Sequence, residues 1–261
     1  MNLLLINPNT SPEITDKVVL AARAVARPGT TVAGATGRFG ARYITTRSAA
    51  AIAAHSTLDA YARHGDTADV IVLACFGDPG LAALKELATQ PVVGMAEASC
   101  MLAASRGARF SIVTGGTRWG PMLEEFVLSI GLSSRLASVR TVAPTGAAIA
   151  ADPESALALL AAQCVAAVEE DGAEAVILGG AGLAGLASRI AHRVPVPLID
   201  SVHAVVSAAE ALGGLALQKA VAGTHAMPEP VATLGLAPEL ASMLEGSPAR
   251  AAGGSRMETG G

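Results

Sequence analysis

Short apolar runs alternate with longer segments of helical periodicity along most of this sequence. The runs at 70–74 and 175–178 are continuously apolar, as expected for strands of a parallel sheet that is covered on both faces. The alternation predicts a parallel α/β fold. The predicted strands are 3–6, 30–35, 70–74, 91–94, 110–114, 139–142, 175–178 and 196–199, and helices are predicted between them, among them 80–88, 153–171 and 183–191.

The two halves of the sequence repeat the same order of elements. Residues 68–75 align with residues 173–180, so that Cys75 corresponds to Gly180. The repeat predicts two pseudo-symmetric lobes, each with a parallel sheet of about four strands flanked by helices. Ligands bind beyond the carboxyl ends of parallel strands, which places the site in the cleft between the lobes. The predicted lobes are residues 1–96 plus 206–245, which carry Cys75, and residues 97–205, which carry Gly180.

Cys75 is the most reactive group at the end of a predicted strand. The turn Gly77-Asp78-Pro79-Gly80 follows it, and a helical pattern begins at Leu81. A thiol at the start of a helix has a lowered pKa, which favours the thiolate. Asp78 is a candidate cap for the same helix and would oppose that effect. A thiol facing an equivalent position on a second lobe suggests proton transfer at carbon, with Thr and Gly turns as oxyanion donors.

Composition and charge narrow the class of protein. Hydrophobic residues make up 51% of the chain and charged residues 15%, and the net charge is -4, without a basic cluster. These values predict a folded protein that binds neither nucleic acid nor a membrane. Three cysteines without a short-range framework indicate a reducing compartment, and we predict a cytoplasmic location. Residues 246–261 lack periodicity and are predicted to be a disordered tail.

Several motifs resemble the aspartate/glutamate/hydantoin racemase superfamily, and its hydantoin/allantoin racemase branch in particular. The N-terminal Ile6-Asn7-Pro8-Asn9-Thr10-Ser11 is similar to the opening of that family, and Ala74-Cys75-Phe76-Gly77-Asp78-Pro79-Gly80 is similar to its first cysteine motif. The resemblance covers about residues 1–220. It implies a two-lobed, homo-oligomeric enzyme without cofactor or metal that acts on a small carboxylate or hydantoin-like molecule. It implies Cys75 as the catalytic residue and substrate contacts from Asn9, Phe76, Thr114, Gly115, Thr117, Gly180 and Ala181.

The sequence departs from this family at one position of direct chemical importance. The hydantoin racemases carry a second cysteine in a Gly-Cys-Ala-Gly motif, whereas this chain has Gly179-Gly180-Ala181-Gly182. Three hypotheses therefore stand: a racemase that uses Cys75, a single-cysteine decarboxylase of malonate-type substrates, or a non-catalytic ligand-binding protein. His203, after the last predicted strand, is an alternative proton donor.

Overall fold

A computed structural model describes residues 1–246. Of the predicted disordered tail, all but Gly246 lies outside the described residues. The first sheet consists of β1 (Asn2–Asn7), β2 (Thr31–Thr36), β3 (Val70–Leu73) and β4 (Val92–Gly94). These strands are parallel and lie in the order β2-β1-β3-β4. Between and after them run α1 (Pro12–Val25), α2 (Arg47–His64), α3 (Leu81–Leu87) and α4 (Met95–Ala104).

The second sheet repeats this arrangement. It consists of β5 (Phe110–Gly115), β6 (Leu136–Val142), β7 (Ala175–Leu178) and β8 (Leu198–Asp200), again parallel and in the equivalent order β6-β5-β7-β8. The two matching sheets confirm the α/β fold predicted from the repeat. The remaining helices are α5 (Trp119–Ser129), α6 (Gly146–Ala151), α7 (Pro153–Glu169), α8 (Ala187–Ile190), α9 (Ser201–Gly214) and α10 (Pro238–Leu244).

One continuous cluster of buried side chains joins the two sheets. It includes Leu5 and Val72 from the first sheet and Ile112 and Ile177 from the second. The strands β3 and β7 are completely buried, which explains their uninterrupted apolar sequences. Because burial of apolar surface is the main stabilising term in folding, this shared core holds the two sheets together.

One local prediction differs from the structure, and two helices were not predicted. The predicted helix 183–191 is interrupted, because Gly185 adopts φ +80° and donates its N–H to Asp200 Oδ2 at 3.1 Å. Only the short α8 and flanking 3-10 turns form there. The helices α6 and α10 lie in segments to which no element was assigned from the sequence. Leu240 anchors α10 in the outer core of the first sheet, a tertiary contact that the local sequence does not reveal.

Candidate active site

A cavity of about 80 Å³ lies where the carboxyl ends of the two sheets meet. Seven of the eight predicted site residues line it: Asn9, Cys75, Phe76, Thr114, Gly115, Gly180 and Ala181. Four of these follow equivalent central strands, since Cys75 and Phe76 follow β3 while Gly180 and Ala181 follow β7. The internal repeat therefore places both strand ends at one cleft, as the topology predicts.

Thr117 is the predicted site residue that the structure does not bring to the cavity. It is exposed, and it lies outside the cavity lining. Gly116 adopts φ +93° directly after β5 and turns the chain, so that Trp119 rather than Thr117 reaches the cleft. This turn separates Thr117 from Thr114, which does line the cavity.

The Cys75 thiol is buried, with 8% of the residue exposed, and it packs against Ile44 and Ala53. The expectation of a helix-stabilised thiolate is wrong. The helix α3 begins only at Leu81, after a turn in which the Asp78 N–H donates to the Cys75 carbonyl at 3.0 Å. Burial, followed by the negative charge of Asp78, raises the pKa of the Cys75 thiol to about 12. With a pKa of about 12, Cys75 is a thiol at neutral pH.

Asp78 caps a different helix from the one predicted. Its carboxylate accepts the N–H groups of Ala96 at 3.1 Å and Glu97 at 2.8 Å, at the start of α4. Burial raises the pKa of this carboxyl to about 7, against the opposing effect of those two amides. Asp78 thus fixes the Cys75 turn to α4 and places a titratable charge next to the thiol.

The side-chain amide of Asn9 is oriented by its neighbours. Its Oδ1 accepts from Asn7 Nδ2 at 2.9 Å and from the Ser11 N–H at 2.9 Å. Asn7 is held in turn by Thr15 Oγ1 at 3.0 Å. Because both bonds use the oxygen, the Asn9 amide presents its NH₂ group to the cavity as a donor. This geometry suits binding of a carbonyl or carboxylate oxygen.

The second sheet supplies further donors. The hydroxyl of Thr114, at the end of β5, forms no hydrogen bond with the side chains or backbone of residues 1–246, and the residue lines the cavity. The N–H of Ala181 likewise takes part in none of the backbone hydrogen bonds of those residues. With Asn9 these groups surround the cavity with unpaired donors, the requirement for stabilising an enolate oxygen.

The turn after β7 is built from glycines for steric reasons. A Cβ at Gly179 would lie 2.3 Å from the Phe76 ring, and a Cβ at Gly182 would lie 2.2 Å from the carbonyl oxygen of Gly146. Gly180 itself has φ +137°, a conformation that side-chain-bearing residues rarely adopt. Lys17 Nζ donates across the cleft to the Gly182 carbonyl at 2.6 Å and fixes this turn to α1.

Sequence reasoning missed three parts of the cavity wall. Tyr43, Ile44 and Thr45 come from the polar loop 37–46, in which no site residue was predicted. Trp119 lies across Gly77, where a Cβ would be 2.6 Å from the indole ring. Residues 145–147 form the start of α6, and Thr145 is its N-cap. A threonine before an Ala-rich run is a capping signal that was available in the sequence.

The remaining candidates lie elsewhere. His203 is exposed in the first turn of α9, where its N–H donates to Asp200 Oδ1 at 3.1 Å, and it does not line the cavity. Cys100 and Cys164 are buried in helices α4 and α7. Within residues 1–246, no group of three His, Cys, Asp or Glu side chains is placed to hold a metal ion. None of the helices in that range is long and apolar enough to cross a membrane.

Comparison with known proteins agrees with this geometry. Residues 3–209 match the Asp/Glu/Hydantoin racemase family, and the chain belongs to that family. It is an isomerase of the racemase type. The chain is 37% identical to hydantoin racemase from Paenarthrobacter aurescens over 230 residues, which is 87% of this chain and 98% of the relative.

Solved structures support the same conclusion. Allantoin racemase from Pseudomonas fluorescens superposes with a TM-score of 0.87 at 35% identity, over 90% of this chain and 100% of that one. Arylmalonate decarboxylase has the same fold, with a TM-score of 0.61 at 19% identity, over 83% of this chain and 94% of that one. At that identity the likeness shows the fold alone.

Proposed function

We propose that this racemase inverts the carbon next to a carbonyl group in a small hydantoin-type ring, with Cys75 as a proton-transfer group. The observation that carries the proposal is the single buried thiol of the cavity facing a set of unpaired donors. The names of the relatives, hydantoin racemase and allantoin racemase, supply the substrate class. The small cavity also favours a compact substrate over a drug-sized one.

The chemistry follows from the arrangement of these groups. The Cys75 thiolate takes the proton from the substrate carbon, and the electron pair moves into the adjacent carbonyl to form an enolate. The Asn9 amide, the Thr114 hydroxyl and the Ala181 N–H are the proposed donors to the enolate oxygen and to the other ring carbonyl. Each such donor contributes more in a water-excluded site than in bulk water.

The pKa of Cys75 gives the reaction a pH dependence. Because burial raises the thiol pKa to about 12, the thiolate fraction increases with pH throughout the neutral and mildly alkaline range. In the reverse direction the abundant thiol is the proton donor. A high thiol pKa also makes the thiolate a stronger base than an ordinary cysteine, which suits abstraction of a weakly acidic C–H proton.

The test is an assay of the wild-type enzyme on an enantiopure 5-substituted hydantoin, followed by optical rotation. The proposal expects decay of the rotation to zero without change of mass. A parallel incubation with an arylmalonate measures release of carbon dioxide. Decarboxylation together with a constant hydantoin rotation would contradict the proposal and support the single-cysteine decarboxylase. Inertness towards both would support the ligand-binding hypothesis.

We also retain, as part of this proposal, a homo-oligomeric enzyme of the cytoplasm with the lobe boundaries given above. The three cysteines are free and buried, which fits a reducing compartment. Equilibrium sedimentation of the purified chain tests the oligomeric state, and a monomer at micromolar concentration would contradict it.

A further inference from the structure

Racemisation requires a proton to leave one face of the substrate carbon and another to arrive at the opposite face. Cys75 can serve one face. The equivalent position on the second sheet is Gly180, which has no side chain to carry a proton. Direct delivery to the second face therefore needs another side chain in the wall of the cavity.

The wall offers one further group of suitable chemistry. Of the described residues that line the cavity, only Cys75 and Tyr43 have titratable side chains. The nearby charged groups are engaged elsewhere: Asp78 accepts two amides of α4, and Lys17 donates to the Gly182 carbonyl. Neither of them lines the cavity. Tyrosine is among the side chains that act as general acids or bases.

The surroundings of Tyr43 leave its hydroxyl available. The residue is half-buried, and its ring packs against the core cluster that joins the two sheets. Its hydroxyl forms no hydrogen bond with any residue in the range 1–246. The loop that carries it is held in place, because Ser11 Oγ donates to the Arg42 carbonyl at 2.8 Å and the Thr10 N–H donates to the Ala41 carbonyl at 3.1 Å.

The second tyrosine of the chain shows the contrast. Tyr61 donates its hydroxyl to Gln90 Oε1 at 3.0 Å and accepts the N–H of Thr89 at 3.3 Å. A buried tyrosine hydroxyl normally finds such a partner. The packed ring and unpaired hydroxyl of Tyr43, at the wall of the cavity, leave the hydroxyl free to contact a bound molecule.

We propose that Tyr43 is the proton carrier for the second face of the substrate carbon. The inference deepens the proposed function and rests on the role given there to Cys75. The Cys75 thiolate forms an S–H bond as the C–H bond breaks, and the enolate holds the electron pair. The Tyr43 O–H bond then breaks as the new C–H bond forms, and the phenolate keeps its electron pair. Proton exchange with water restores the thiolate and the phenol, and the opposite enantiomer reacts by the reverse steps.

The test uses separate enantiomers of a 5-substituted hydantoin in deuterium oxide, followed by NMR and chiral chromatography. For the Tyr43→Phe variant, which keeps the ring, we expect racemisation to fall at least a hundredfold. Cys75 remains, so one enantiomer should still exchange its proton for deuterium with retention of configuration. The Cys75→Ala variant should exchange only the other enantiomer.

Tyr61→Phe is the matched control, with the same loss of a hydroxyl outside the cavity, and its racemisation rate should stay within threefold of wild type. Racemisation by Tyr43→Phe at the wild-type rate would overturn the inference, and so would loss of exchange for both enantiomers. Full racemisation by Cys75→Ala would instead overturn the proposed function. The two failures are therefore distinguishable.

Discussion

The turns after β3 and β7 occupy equivalent places in the two halves of the molecule. Each begins with a residue that still donates to the neighbouring strand: Ala74 to the Ile6 carbonyl at 2.8 Å, and Gly179 to the Val113 carbonyl at 3.0 Å. The next residue is Cys75 in the first turn and Gly180 in the second. The first turn brings a thiol to the cleft and buries the carboxyl of Asp78 behind it, whereas the second brings mainly backbone.

In the proposed reaction the two similar halves have different tasks. The first turn would carry the proton chemistry, and the second would provide N–H groups and space. The Phe76 ring occupies the volume that a side chain at Gly179 would need, so residues of the first turn fill part of the second. The asymmetry is therefore built into the packing of both turns and extends beyond the single position of Gly180.

Among variants of the second half, the largest effect is expected at the donor Thr114. Thr114→Val keeps the shape of the buried side chain and removes the hydroxyl. Loss of one donor to a developing oxyanion costs roughly a hundredfold in kcat. We expect a decrease of that order in the racemisation assay, without loss of thermal stability beyond a few degrees.

Thr117→Val is the matched control for Thr114. The residue is exposed, two residues before α5, and it does not line the cavity. Its kcat and KM should remain within about twofold of wild type, as is usual for surface substitutions away from a site. Equal losses of kcat in Thr114→Val and Thr117→Val would contradict the role given to the Thr114 hydroxyl in the cavity.

A smaller effect is expected from placing a side chain on the second turn. In Gly180→Ala the new Cβ would lie 3.3 Å from Leu183 Cδ1 and 3.6 Å from Thr114 Oγ1, at φ +137°. The backbone conformation alone costs about 1–3 kcal/mol of the free energy of unfolding. Thermal denaturation measures this loss, and KM should increase because the methyl group enters the cavity.

Gly214→Ala provides the comparison for Gly180. This residue ends α9, has no positive φ, and a Cβ there would meet nothing within 4 Å. Its stability should be unchanged or slightly higher, since alanine is the better helix former. If Gly180→Ala were as stable as Gly214→Ala, the second turn would not be restricted to glycine.

Most of the predicted residues of this site could be placed from the sequence, because the carboxyl ends of paired parallel strands lie at the same edge of a sheet. The continuous apolar runs of β3 and β7 predicted that Cys75 and Gly180 lie at strand ends. The internal repeat predicted that both strand ends lie at one cleft. Tyr43 and Trp119 were missed because they reach the cavity through packing between distant segments. The thiol pKa was misjudged because burial, which the local sequence does not reveal, raises it more than the anticipated charge of Asp78 does.

The smallest effect concerns Asp78, the charged member of the first turn. Its pKa of about 7 in the folded protein lies above the usual value of 3.8. The raised pKa means that the folded state favours the protonated form. The associated stability is present below about pH 4 and is lost as the pH rises through 7. Asp78→Asn should therefore flatten the dependence of Tm on pH between 4 and 8.

The same substitution tests the electrostatic link to the thiol. Removing the negative charge lowers the pKa of Cys75, although burial remains the larger cause of its elevation. We expect the rise of kcat/KM with pH to move to lower pH by up to about one unit. If Asp78→Asn kept the wild-type pH dependence of both Tm and kcat/KM, the charge of Asp78 would have no effect on the turn that carries Cys75.

Cys75, the only thiol in the cavity wall, is the residue proposed to move the proton, and the racemisation rate of Cys75→Ala tests this role directly. The control is Cys164→Ala, which removes a buried thiol from α7 in the second half of the chain. In the optical-rotation assay we predict a loss of at least a thousandfold for Cys75→Ala and less than threefold for Cys164→Ala at equal folded concentration. Racemisation by Cys75→Ala at a rate close to that of Cys164→Ala would contradict the account.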